Sequence, residues 1–109
     1  MTDATYEKGV PFRLEELVTV QEKAVVSRTI VDRPTGNATL FSFDKGQALS
    51  EHTAPYDALV HVLSGRVEIR LGGVPHTLEA GDALVMPADV PHALKALEPF
   101  KMFLVMIRS

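Results

Sequence analysis

Residues 46–65 read GQALSEHTAPYDALVHVLSG, and residues 81–92 read GDALVMPADVPH. Each stretch opens on a glycine; the first carries His52 and His61, the second His92. Around them, glycine and proline cut the chain at Pro34 to Gly36, Lys45 to Gln47, Gly65, Gly72-Gly73, Gly81 and Pro87 to Pro91. The runs left between these breaks are of strand length and too short for an ordinary helix. That spacing predicts an all-β sandwich or barrel.

Alternation within the runs points the same way. In RVEIRL, Val67, Ile69 and Leu71 share one face and Glu68 and Arg70 the other, ahead of a Gly-Gly turn, the pattern of a half-buried hairpin strand. In TLFSFD, Phe41 and Phe43 share a face with Thr39, with Leu40 and Ser42 on the reverse. ALVHVL and the C-terminal FKMFLVMI are apolar on nearly both faces, as in strands central to a sandwich or at a dimer contact. Residues 12–18, FRLEELV, allow one helical turn. The polar first nine residues, ending in Gly9, read as a mobile arm or an exchanged edge strand.

Composition bounds the chemistry. The chain has 109 residues, 46% hydrophobic and 23% charged, which suits a single globular domain; it is expected to span residues 1–109, with 1–20 as an N-terminal arm and 37–107 as the barrel core. With no cysteine, disulfides, thiolate zinc sites and cysteine nucleophiles are excluded, and metal ligands would have to be His, Asp or Glu. A net charge of −3 lacks the basic surplus that nucleic acid selects, so no nucleic-acid partner is expected. No apolar run approaches a membrane span and the N-terminus lacks a signal peptide's pattern, so no membrane partner and a cytoplasmic location are expected.

The two opening stretches resemble the motifs of the RmlC-like cupin superfamily, in its small single-domain, cupin 2 conserved barrel form. The first motif runs G, five residues, H-x-H, three or four residues, E, six residues, G; Gly46, His52 and Gly65 match it in register. The second runs G, five residues, P-x-G, two residues, H, three residues, N; Gly81, Pro87 and His92 match it. The resemblance implies a jelly-roll barrel, a double-stranded β-helix, with a site in its mouth. In members that bind iron, manganese, zinc or nickel, the histidine pair, the glutamate and the second-motif histidine surround the divalent metal. Here Ala54 and Ala58 replace the second histidine and the glutamate, while Asp89 and Ala96 replace the second motif's glycine and asparagine.

Two histidines are fewer ligands than zinc or facial iron sites use. Asp57 could add a carboxylate only through a bulge, because alternation points it away from the face of residue 58; Tyr56 shares the parity of His52 and could offer a phenol. The leading expectation is a small-molecule-binding cupin with a degenerate metal site, its ligand held by His52, His92 and Tyr56. The pocket lining would come from the Phe41/Phe43 strand, Val60, Val62, Met86, Met102 and Met106, all of which also suit plain core. The alternative is a small metal-dependent enzyme, a dioxygenase or isomerase, with His52, His92 and Asp57 on the metal. A third possibility is an oligomerising structural protein with a filled interior. His61 should face away from the pocket and His76 should be partly exposed. The doubly apolar C-terminal strand, together with the pairing habits of the resembled family, also predicts a homodimer.

Overall fold

A computed structural model describes residues 5–108, and in them nine strands follow one short 3-10 turn. The strands are β1 Val25–Arg33, β2 Gly36–Phe43, β3 Ala48–His52, β4 Ala58–Ser64, β5 Arg66–Leu71, β6 Val74–Glu79, β7 Ala83–Met86, β8 His92–Ala96 and β9 Phe100–Ile107. All pairings are antiparallel, in a five-stranded sheet of order β1-β2-β9-β4-β7 and a four-stranded sheet of order β3-β8-β5-β6. The two sheets close on each other as a jelly roll.

Period-two alternation builds the space between the sheets. Val67 and Ile69 on β5, Val60 and Val62 on β4, Phe43 on β2, and Phe100 and Met102 on β9 turn inward and are buried there. The rings of Phe43 and Phe100 stack with centroids 4.6 Å apart. Of the expected pocket lining, Phe43, Val60, Val62, Met86 and Met102 are therefore core. As the doubly apolar runs predict, β9 is the middle strand of the larger sheet and β4 its neighbour.

Gly65 joins β4 to β5 with a φ of +77°, a left-handed conformation that a side chain resists. A Cβ there would also overlap the carbonyl oxygen of Pro99 and the Cβ of Phe100. Hence only glycine fits this corner.

β2 is covered on both sides. Its outward Leu40 is fully buried against Leu17 and Val18, with Tyr6, Leu14, Ile30, Leu63 and Phe103 packed around them. Its outward Ser42 is also fully buried, and its hydroxyl donates to the carbonyl of Thr19 at 3.0 Å. The helical turn expected within residues 12–18 forms at Leu14–Leu17 and supplies part of this cover. Of the nine residues read as a mobile arm, residues 1–4 lie outside the described residues. Tyr6 is tied down on its own barrel, its hydroxyl donating to the Ile30 carbonyl at 2.6 Å and its ring lying under the Arg28 guanidinium. A polar sequence concealed these few anchoring side chains.

Candidate functional site

His92 is the first residue of β8, and the alternation of that strand sets its side chain on the same inner face as Leu94 and Ala96. It is 6% exposed. His52 ends β3, and reaches the same face by an irregularity: Leu49 pairs with Leu94 and His52 with His92, so three steps on β3 match two on β8. This β-bulge turns His52 toward the barrel mouth although strict alternation from Leu49 would turn it out. The two rings meet edge to face, centroids 4.2 Å apart and planes at 66°.

The rings share one hydrogen-bonding habit. Nδ1 of His52 lies 2.8 Å from the carbonyl oxygen of Ser50, and Nδ1 of His92 lies 3.3 Å from that of Val90. A carbonyl oxygen only accepts, so each Nδ1 carries the proton and donates. In the neutral ring Nε2 is then left with its lone pair, the tautomer suited to accepting a proton, an O–H or a metal. Burial is the largest influence on His92 and pushes its pKa below the usual 6.5; the bond to Val90 opposes this shift and the neighbouring His52 adds to it.

The neighbourhood at the mouth is apolar with a polar edge. Ala58 pairs with Met86 on one side and with Met106 on the other, all three on the inner face of the larger sheet. Met106 pairs in turn with Asn37, whose side-chain oxygen accepts from the Thr39 hydroxyl at 3.5 Å. Asn37 was missed in the sequence, although stepping back by twos from Phe43 through Phe41 and Thr39 reaches it.

The structure brings together His52 and His92, and sets the other two candidates elsewhere. Asp57 uses Oδ1 to accept from the backbone N–H of Ala88 at 2.8 Å, pinning the loop before β4 to the loop before β8. Tyr56 is exposed and borders, with Pro55, Asp57, Ala88 and Ile107, a surface recess of about 200 Å³. The same two loops are joined again by Asp89 N–H to the Ala54 carbonyl at 2.8 Å, and Asp89 has a φ of +63°. That left-handed conformation accounts for the glycine of the resembled motif at this place, since a short polar residue is among the few others that adopt it. His61 lies on the outer face, half-buried and in register with Phe103 and Ala83, and His76 is exposed on β6, both as expected.

Comparison with known proteins agrees with this architecture. Residues 39–107 match the cupin domain family. The chain belongs to the cupins. This cupin is 37% identical to a conserved protein of unknown function from Streptococcus pyogenes, with a TM-score of 0.90 over 100% of this chain and 96% of the other. Over 74 residues it is 32% identical to protein SchB of Streptomyces halstedii, covering 67% of this chain and 54% of that protein. It is also 30% identical over 74 residues to polyketide synthase CurC of Streptomyces cyaneus, covering 67% of this chain and 48% of CurC. The cupin thus spans about half the length of the curated relatives it matches.

The metal set implied by the cupin motifs can be tested against the donors present. Among the described residues no group of three or more His, Cys, Asp or Glu is placed to hold a metal ion. Two imidazoles face the mouth, alanines stand at 54 and 58, and Asp57 is engaged with Ala88. The four-ligand set of metal-binding cupins does not fit this chain.

Proposed function

We propose that this cupin binds a small hydroxylated organic molecule in the barrel mouth, without requiring a metal. The observation that carries the reading is the paired histidines, rings 4.2 Å apart, each with Nδ1 committed to a backbone carbonyl. In the neutral rings each Nε2 accepts a hydrogen bond, which favours ligands that donate, such as phenols and enols, over carboxylates. Burial that lowers the pKa of His92 favours its neutral form. Ala54 and Ala58 are small residues at the places of larger ligating side chains, and Met86 and Met106, cross-strand neighbours of Ala58, are adaptable apolar side chains. The relative named as a polyketide synthase makes hydroxylated molecules of the polyketide type the first to try.

The test is a thermal-shift series in a chelator, using phenols, naphthols and catechols beside matched carboxylates. The hydroxylated set should raise the melting temperature of the wild type and leave His92→Phe unmoved. Stabilisation only by the carboxylates, or only after metal is added, would overturn the reading.

A second reading has one observation in its favour. The tautomer left by the two Nδ1–H bonds is also the one that ligates metals. A metal-dependent cupin would then hold iron, manganese, zinc or nickel on His52 and His92, with the remaining positions filled by substrate or water. Stoichiometric metal in protein purified without chelator, lost in His92→Ala, would favour this reading over the first.

A further inference from the structure

The barrel is closed at one end by short crossings between its sheets. Residues 44–47 join β2 to β3, 97–99 join β8 to β9, Gly65 joins β4 to β5, and 80–82 join β6 to β7. Crossings this short set β2 opposite β3, β9 opposite β8, β4 opposite β5 and β7 opposite β6. β1 lies beyond β2 and has no strand opposite it.

At the other end, the mouth, the inner-face residues form two facing rows. On the smaller sheet the register runs His52, His92, Leu71, Val74. On the larger sheet it runs Asn37, Met106, Ala58, Met86. Asn37 on β2 therefore stands across the mouth from His52 on β3, and Met106 across from His92. Leu71 and Val74 carry the smaller sheet's row away from the histidines as hydrocarbon, and Val74 is 56% exposed. The mouth is thus two-sided, polar where β2 faces β3 and apolar toward β5 and β6.

Asn37 is half-buried, and its Oδ1 accepts from the Thr39 hydroxyl at 3.5 Å. Its Nδ2 has no hydrogen-bond partner among the described residues. The amide therefore offers a donor across from the acceptor that His52 offers. Asp32, which follows Asn37 in the row on β1, is answered by Arg108, whose Nη1 lies 3.7 Å from its Oδ1. Asn37 is left as the polar group of the larger sheet that can meet a ligand beside the histidines.

We propose that Asn37 is the second polar anchor of the mouth, donating from Nδ2 to a carbonyl oxygen of the ligand while a histidine Nε2 accepts from the ligand's hydroxyl. The inference rests on the reading of the histidine pair as acceptors, and it narrows the ligand class from hydroxylated molecules to hydroxyketones. Facing sheets lie about 10 Å apart, so a histidine and an asparagine reaching inward from the two sides hold a single polar edge between them. The hydroxyl and the carbonyl must share that edge. The hydrocarbon remainder of the ligand then lies along Met106, Leu71 and Val74.

Matched pairs test the anchor: the three hydroxyacetophenones against the three ethylphenols, which carry the same hydroxyl on nearly the same shape without the carbonyl. Titrations in chelator, followed by NMR of ¹⁵N-labelled protein, should show one or more hydroxyacetophenones binding about five- to tenfold more tightly than the matching ethylphenol. Asn37→Leu, and the isosteric Asn37→Asp, which lacks the donor, should each abolish that preference. Asn37→Leu should keep the ethylphenol affinity within about twofold. The side-chain amide resonances of Asn37 in the wild type should shift with the hydroxyacetophenone and stay still with its partner. No preference, a preference unchanged in both variants, or an amide that moves equally with both compounds overturns the anchor. The histidine reading survives those results as long as ethylphenol binds and His92→Phe abolishes its binding. If neither series binds the wild type, the reading of the pair as acceptors fails and the anchor falls with it. If Asn37→Leu fails to fold, Asn37→Asp and the wild-type amide resonances decide.

Discussion

Restoring the two absent ligands, Ala54→His with Ala58→Glu, should convert this barrel into a metal-dependent fold. Ala58 is 4% exposed, with Met86 (also 4% exposed) and Met106 as its cross-strand neighbours, so a carboxylate placed there is desolvated between thioethers. An unpaired buried charge of this kind costs about 3 kcal/mol, with the carboxyl pKa pushed up by desolvation. For a domain of this size that is a fall of about 12–15 °C in melting temperature in the presence of chelator. Adding zinc or nickel to a thousand times its dissociation constant should return about 4 kcal/mol, more than offsetting the loss. The wild type, with two imidazoles only, should gain less than about 1 kcal/mol at the same metal concentration. Melting curves with chelator and with metal, beside metal stoichiometry by native mass spectrometry, give both quantities. A wild type stabilised as much as the variant, or a variant that takes up no metal, would refute the view that residues 54 and 58 mark the missing half of a site.

Further outcomes follow from particular contacts. Gly65→Ala should destabilise by about 3–5 kcal/mol, since the added methyl overlaps backbone at Pro99 and Phe100 at a positive φ; a urea melt within error of wild type would contradict this geometry. Leu17→Ala, at a side chain with no exposure, should cost about 2–4 kcal/mol, whereas a loosely held N-terminal segment would lose almost nothing. His92 has a lowered pKa in the folded chain, so the unfolded chain binds more protons in the window below 6.5. Its contribution is complete above that value and declines as pH falls through it. The pH dependence of urea unfolding should therefore be shallower in His92→Gln, and an unchanged slope would show that His92 does not supply it.

The strands were legible wherever burial alternates, as in Val67 and Ile69 or Phe41 and Phe43, because a sheet with one buried face imposes period two on its sequence. The motif glycines were legible too, since Gly65 stands where no other residue fits. What escaped reading depends on contacts distant in sequence. Ser42 is polar, and only its bond to Thr19 makes burial of the outer face of β2 possible. The inward turn of His52 was expected from the motif alone; its cause, the bulge in β3, runs against alternation from Leu49. Asp57 looked like a spare ligand because nothing in its local sequence shows that its carboxylate meets Ala88, thirty-one residues on. Asp89 looked like a lost glycine, yet it keeps the glycine's backbone conformation.

The pairing of His52 with His92 also gives the proposed binding at the mouth its physical basis. Rings 4.2 Å apart repel when both are charged, and burial adds a second penalty on protonating His92. The neutral pair has the opposite difficulty: two lone pairs in one small space, with Met86 and Met106 on the facing sheet unable to donate a hydrogen to either. Backbone carbonyls cannot relieve this, since a carbonyl oxygen only accepts and can serve the Nδ1 protons alone. His52 is exposed, so the O–H of water or of a ligand can supply that donor. A structural role alone would be served better by apolar side chains at both positions, which would fill the mouth with no unmet acceptor. Replacing both histidines by leucine should therefore leave the fold as stable or more so while abolishing the response to hydroxylated ligands, and a large loss of stability in that double variant would show instead that the pair is structural.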